Sequence, residues 1–581
     1  MKNSAKTENK TVSGEKKKFS LQELVWLGFN YTCGIAFTSV YATIMISSEK
    51  HDGLFLGMHM IWIFLIEGLV AGTCAWAFNK LSRVHPAGNG AAYIYVRSNF
   101  GKFWGWFISF LQYTTLPIIV TSQIVSMIRL NFVGSGTFLD TKDILGNWAN
   151  LTWDAVGVFV YMLVSCTLFL GMKMLKRYLN ASSYIKWGST ALLFIALIVM
   201  FALNGTSAWD LNASSKYTQL NSSNFSTAFT SCFFFFLGFE TYATIGKNVK
   251  NPERNIGRSI IWTMLLSTIF YVVVTILMLG AIGGEFSNNP NLQVFRLLGD
   301  HAGSWLYYIG VIIMLICTVS LKANAAMQNA LYSGSILEPF AVEGIFPAKY
   351  QELTKDNIPF RASFLNLVIT LIFAIIWLFI PDIIQGATGG DSVFSYAAIV
   401  GEASLIMIII YVFVIATALK LGFTKKMKVT IWEMIAWMLV FVFLIWQFIQ
   451  FFIDLGKSYY SAIAQLGTKD SAAGVAALVS NTIEVAYILA MILFAIIWYF
   501  AYYIPKYKAR LQKDPTIQLA LDAQFVVVDD WHYVMKEIQD KLDNYLVRNK
   551  AIYHNQDNEN LQDALHIREE VLTLEGDLRE E

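Results

Sequence analysis

The chain has 581 residues, of which 56% are hydrophobic, 15% aromatic and 14% charged, with a mean hydropathy of +0.50 and a formal net charge of +2. A soluble domain carries about 25% charged residues, so this composition excludes a water-soluble globular protein and predicts an all-α, polytopic membrane protein. The five cysteines (Cys33, Cys74, Cys166, Cys232 and Cys317) all fall in apolar runs without CxxC or Cys/His spacing, so neither disulfides nor a metal site is expected.

Residues 1–20 are a polar, lysine-rich tail with no apolar signal-peptide core, and the first membrane helix is expected to serve as its own signal. Apolar runs of about 20 residues mark membrane helices. About twelve are predicted, at 22–47, 54–78, 103–131, 152–172, 181–203, 225–246, 259–283, 305–334, 362–381, 392–419, 430–455 and 477–504. Basic residues concentrate in alternate loops: the N-terminal tail, Lys80 to Lys102, Lys173 to Arg177, Lys247 to Arg258, and Lys420 to Lys428. The positive-inside rule then places both termini in the cytoplasm, in a multi-pass protein of the cell (plasma) membrane. Residues 21–504 form the expected transmembrane domain. Residues 505–581 read as a cytoplasmic helical tail, with Val534, Ile538, Leu542 and Tyr545 at helical spacing.

Two segments carry chemistry. In FSTAFTSCFFFFLGFETYATIG (225–246), Gly238 and Glu240 interrupt an apolar run that then gives way to KNVKNPERNIGRSI. A carboxylate at the centre of a membrane helix costs roughly 2.5–3.5 kcal/mol on insertion scales, so Glu240 should face protein or a water-filled path. The glycine beside it marks a place where the helix can break, as transporter helices do at a substrate site. Between the second and third helices the chain reads SRVHPAGNGAAYIYVRSNFGKFWGWF (82–107), with proline, glycines, paired aromatics and a basic residue in a fixed order. No GxxxxGK[ST] phosphate loop occurs, and nothing indicates nucleic-acid binding or hydrolytic catalysis.

The 82–107 segment resembles the PxAGGxYxYxxxxxG signature of the amino acid–polyamine–organocation superfamily of permeases. The FxGFE…VKNPxRNI pattern at 235–260, and EGIFPAKY with IPFRA at 343–362, are similar to that superfamily's sixth helix and to the segment after its eighth. The resemblance covers roughly residues 20–505. It implies a LeuT-type fold with two inverted repeats of five helices, in which helices one and six are broken at mid-membrane. Gly28, Gly34 and Gly238 agree with such breaks.

The resemblance also implies a site. Backbone groups at Cys33, Gly34, Ile35 and Ala36 would bind an amino acid's carboxylate, although the family's GSG or GTG triplet is reduced here to one glycine. Phe234, Phe235, Phe236, Leu237 and Gly238 would form the other half, with Phe234 closing over the substrate, unless these phenylalanines only pack. Tyr113 is placed at the pocket by helix position. Glu240 would hold the half-helices in register or relay protons, the alternative being a purely structural carboxyl. Lys186 would occupy the position of a sodium ion in sodium-coupled relatives. Desolvation disfavours the charge of such a lysine, so it could carry the coupled proton. The alternative is a lysine snorkelling from the helix end.

Glu67, Lys322 and Glu402 also fall in apolar runs, and Lys322 has no family counterpart; it is a candidate partner for an acidic substrate side chain or for Glu402. The expected function is secondary active amino acid transport by proton symport, with no cofactor beyond the proton gradient. Exchange, or sensing without transport, are the alternatives. The aromatic pocket leans towards neutral substrates, and helices eleven and twelve are the expected homodimer surface.

Overall fold

A computed structural model describes residues 18–34, 38, 56–85, 90–133, 141–214, 220–284, 286–287, 289–388, 396–466 and 471–513. The predicted site residues Ile35 and Ala36, the 86–89 turn and most of both tails lie outside the described residues.

The helices that position the site are α1 (Leu21–Thr32), α2 (His59–Val84), α3 (Ala91–Phe100), α4 (Lys102–Met127), α5 (Ala149–Ser165), α6 (Met172–Asn204), α7 (Ser222–Phe233) and α8 (Pro252–Ala281). They continue with α9 (Pro290–Ala302), α10 (Trp305–Glu343), α11 (Phe360–Ala374), α12 (Ile380–Thr388), α13 (Tyr396–Phe423), α14 (Ile431–Gln465), α15 (Ser471–Ile497) and α16 (Ile504–Lys513). A wide helical turn joins α11 to α12, and another joins α15 to α16. Among the described residues, ten continuous helical stretches are long and apolar enough to cross a membrane. The first and sixth positions are filled instead by α1 and α7, of 12 residues each. Such a helix rises about 18 Å, well short of a hydrocarbon core of about 30 Å.

Local chemistry sets where these two helices begin and end. Ser20 caps α1 through a reciprocal box with Glu23, and the chain turns extended at Cys33. Asn221 caps α7, which tightens through Phe234–Phe236, turns extended at Leu237 and passes through Gly238 at φ 104° before a single turn at Thr241–Thr244. That φ favours glycine, and a Cβ there would lie 2.3 Å from the Tyr31 ring.

The packing partners reveal an internal repeat. The first five spanning positions are α1, α2, α4, α5 and α6; the next five are α7, α8, α10, α11–α12 and α13. Exchanging the two sets carries most of the main contacts onto others that exist. α6 packs on α10 as α13 packs on α4, and α6 on α8 as α13 on α2. α5 packs on α10 as α11 packs on α4, and α1 on α8 as α7 on α2, while α2 and α8 pack on each other. Five crossings per repeat invert the second copy relative to the first. α14 and α15 lie outside this scheme, α14 against α2, α7 and α13, and α15 against α4.

One boundary differs from expectation in a way that matters. The basic stretch 173–180 is not a loop: Gly171, at φ 95°, joins the fourth and fifth positions almost directly, and α6 begins at Met172. A left-handed glycine turns the chain in one residue, so no polar linker exists to be read. Lys186 therefore lies about four turns, or ~21 Å, inside its helix, and not near the end.

The three sequence motifs meet at the end of the bundle that carries the basic loops. Arg97 donates from Nε and Nη2 to the two carboxylate oxygens of Glu343, both at 3.0 Å, and the Tyr93 hydroxyl donates to Glu343 Oε2 at 3.0 Å. The Gly90 amide donates to the Thr244 carbonyl at 3.2 Å, and Asn248 Nδ2 to the Asn357 carbonyl at 3.2 Å. A bidentate arginine–carboxylate pair fixes orientation as well as distance, so the motifs weld α3, the sixth segment and α10 together.

Candidate functional site

The two breaks face each other across a cavity of about 80 Å³, room for several waters where about 10–15 Å³ holds one. The end of α1 contributes Tyr31, Thr32 and Gly34, and the sixth segment Phe234, Phe235, Leu237, Gly238, Glu240 and Thr241. α4 supplies Gln112, Thr115, Leu116, Ile119 and Gln123, and α10 supplies Leu321, Lys322 and Ala325.

A broken helix leaves backbone groups without intrahelical partners, and each break here is answered by a side chain. Lys186, fully buried on α6, donates from Nζ to the Asn30 carbonyl at 2.9 Å and to the Cys33 carbonyl. This is the carbonyl end of α1, where the helix dipole favours a cation. Trp187 stacks on Phe29 with ring centroids 4.8 Å apart and donates to Asn30 Oδ1 at 2.7 Å, holding the neighbourhood in place. At the other break, the Gly238 amide donates to Glu240 at 3.0 and 3.2 Å, and the Tyr411 hydroxyl donates to Glu240 Oε2 at 2.9 Å. The Tyr271 hydroxyl on α8 lies 2.6 Å from the Thr32 carbonyl and 3.1 Å from that of Phe235, bridging the two breaks.

Towards the basic-loop end the path is packed. The Tyr31 hydroxyl donates to Asn329 Oδ1, and Tyr332 meets Tyr31 and Tyr242 edge-on at 5.4 and 6.0 Å. Lys247 pairs with Glu338 at 2.5 Å, and the Phe19 amide donates to the Asn248 carbonyl at 2.8 Å.

Gly34, Phe234, Phe235, Leu237, Gly238 and Glu240 line the cavity as expected from the sequence. Three predicted residues do not. Cys33 is buried beside it and offers only its carbonyl, to Lys186. Phe236 turns away on the tight turn and packs on Phe64 and Tyr271. Tyr113 points to the opposite side of α4, donating to Asn366 Oδ1 at 2.9 Å. The face of α4 that does reach the site was legible as Gln112, Thr115, Leu116, Ile119 and Gln123, a helical stripe with two amides in an apolar helix. Lys186 does not snorkel; it is held by α1. Among the described residues Lys322 makes no ion pair with Glu402; it faces the cavity.

A first helix that stops at Thr32 and a sixth that breaks at Gly238, set in opposite repeats around a polar cavity, match the construction of a secondary transporter. The sequence matches the amino acid permease family model over residues 27–465, and the chain belongs to that family, one of membrane transporters and not of enzymes. It is 24% identical over 359 residues to the vacuolar cationic amino acid transporter 4 of Arabidopsis thaliana, covering 60% of this chain and 56% of that protein. It is 21% identical over 371 residues to the methylthioribose transporter of Bacillus subtilis, covering 62% of this chain and 75% of that one. The chain spans about three fifths of the length of the cationic amino acid transporters it matches. Among solved structures it is similar to MhsT in complex with L-phenylalanine, with a TM-score of 0.48 and 14% identity over 74% of this chain and 97% of that one.

Proposed function

We propose that this protein is a secondary active amino acid transporter of the plasma membrane, working by alternating access and driven by proton symport, with both termini in the cytoplasm. The observation that carries the reading is the cavity enclosed by the Gly34 and Gly238 breaks in a chain of the amino acid permease family. Backbone groups freed at such breaks recognise the ammonium and carboxylate common to every amino acid, and leave the side chain to the α4 and α10 walls. Phe234 and Phe235 close the site from the sixth segment. Glu240 keeps that segment's break in shape.

The coupling is assigned to Lys186. Its ammonium is bound by the carbonyls of Asn30 and Cys33, so loss of its proton removes the charge that stabilises the carbonyl end of α1 and weakens its hold on α6. Protonation and the position of the first half-helix are thereby linked, which is what coupled transport requires.

The test is uptake by the full chain in proteoliposomes with an imposed pH gradient. Wild type accumulates amino acid against its gradient when the outside is acidic, and Lys186→Gln retains exchange but loses accumulation. Proton-driven accumulation by Lys186→Gln at the wild-type level ends the assignment. Efflux that needs external amino acid identifies an exchanger, and ligand binding without flux in either direction identifies a sensor.

A further inference from the structure

Among the described residues, two polar side chains in the cavity have no hydrogen-bond partner. Lys322 on α10 is 7% exposed, and its ammonium makes no hydrogen bond or ion pair among the described residues. Gln112 on α4 is 2% exposed, and neither its amide nitrogen nor its amide oxygen is hydrogen-bonded. Their neighbours on the same walls are satisfied: Thr115 donates to the Gln112 carbonyl at 2.7 Å, and Gln123 accepts from Asn329 at 2.9 Å. Leaving a buried amide unpaired is costly, and beside it the Lys322 ammonium opens onto the same cavity without a protein partner, so the two groups describe a place where a ligand supplies the partner.

The charge balance says which ligand. The described wall of the cavity holds one carboxylate, Glu240, and that carboxylate is engaged by the Gly238 amide and the Tyr411 hydroxyl. Facing it are two ammonium groups, Lys322 in the wall and Lys186 behind the α1 break. A neutral amino acid brings one positive and one negative charge and leaves the Lys322 ammonium uncompensated. A cationic one adds a third positive group. An acidic one brings the missing carboxylate and makes the ensemble neutral.

We infer that Lys322 and Gln112 bind the side-chain carboxylate of the substrate, and that the protein selects acidic amino acids of the aspartate and glutamate kind. This rests on the amino acid transporter reading above and adds the substrate class to it. It runs against the aromatic composition of the pocket, which leans towards neutral substrates. It also differs from what the names of the plant relatives say of those proteins.

The test is binding and uptake by the full-length protein with L-glutamate, L-glutamine, L-leucine and L-lysine as probes. Binding is read by thermal shift in detergent, and uptake in proteoliposomes. Glutamate is expected to bind tightest and lysine weakest. Lys322→Gln should weaken glutamate ~10–100-fold, the loss of one charge-assisted hydrogen bond, and so abolish the preference for glutamate over glutamine, while a wild-type melting temperature without ligand shows that the variant is folded. Lys322→Glu should favour lysine over glutamate. A wild-type preference for glutamine, leucine or lysine overturns the acidic assignment and leaves the transporter reading standing. A glutamate preference that survives Lys322→Gln overturns the role given to Lys322. Absence of binding and flux for all four amino acids overturns the underlying reading and the inference with it.

Discussion

Replacing Gly238 with alanine tests whether the sixth segment is broken where the structure places the break. Two costs add. The backbone at φ 104° is a conformation that L side chains rarely adopt, and holding a non-glycine residue in such a region costs of order 1–3 kcal/mol. The new Cβ would stand 2.3 Å from Tyr31 Cε1 and 2.7 Å from Cδ1, so the ring must move. It is not free to do so, because its hydroxyl is held by Asn329 and its face meets Tyr332. Displacing it forfeits a hydrogen bond worth about 0.5–1.5 kcal/mol and adds overpacking of about 1–3 kcal/mol. The sum is roughly 2.5–7.5 kcal/mol against this conformation. Gly188→Ala is the control: that glycine lies in α6 with nothing within 4 Å of its would-be Cβ, and alanine there should gain about 0.5–1 kcal/mol. Thermal unfolding of the purified protein and uptake into proteoliposomes measure both variants. Gly238→Ala should unfold at clearly lower temperature with little transport, and Gly188→Ala should match or exceed wild type. Wild-type stability and flux in Gly238→Ala would mean a continuous sixth helix, and the site built on its break would fall.

Glu240 offers a graded test. Glu240→Ala leaves the Gly238 amide and the Tyr411 hydroxyl buried without an acceptor, about 1–3 kcal/mol each, whereas Glu240→Gln keeps one carbonyl oxygen for them. Stability and uptake should rank wild type, Gln, then Ala; equal losses in the two variants would show that charge, not hydrogen bonding, is what the break needs. At the basic-loop end, Lys247→Met removes the pair with Glu338, whose lysine is 35% exposed. Solvent screening limits that pair to about 1 kcal/mol, a factor of ~5 in the population of the closed path. Hydrogen–deuterium exchange of the 241–249 amides should speed up by about that factor, and unchanged exchange would remove the pair from the closure.

The class of fold was legible because a membrane imposes simple rules. Length of apolar run, placement of lysine and arginine, and glycine beside a buried carboxylate each have one dominant cause, and they located the ten long helices and the break at Gly238. Failures occurred where a local exception replaced the rule. A single left-handed residue, Gly171, stands where a loop was expected, and this misplaced Lys186 along its helix. In the sixth segment the run of four phenylalanines did not itself show which rings face inward, and only the family resemblance pointed to Phe234. The tight turn at Phe234–Phe236 sends Phe234 and Phe235 to the cavity and Phe236 into the α2–α8 packing. Tyr113 failed for a related reason, since choosing it by depth ignored the face of α4, which its neighbour Gln112 occupies.

The repeat relates the side chains that the last helix of each half sends to the two breaks. Lys186 lies about four turns into α6, from Met172, and Tyr411 about four turns into α13, from Tyr396. The two helices are the last members of their repeats, and each sends a side chain at matching depth to the break that opens its own repeat. In the first, the groups left over are carbonyls, and an ammonium answers them directly. In the second, the group left over is the Gly238 amide, and the answer takes two steps, the amide to Glu240 and Glu240 to the Tyr411 hydroxyl. Equivalent positions therefore carry opposite chemistry because opposite backbone polarity is exposed at the two breaks. A tyrosine hydroxyl holds its proton throughout the physiological range, while a lysine that loses its proton loses the charge that suits the carbonyl end of α1. On this asymmetry rests the proposed assignment of the coupling to Lys186, whose ammonium meets the α1 carbonyls directly, whereas Glu240 answers the second break together with the Tyr411 hydroxyl.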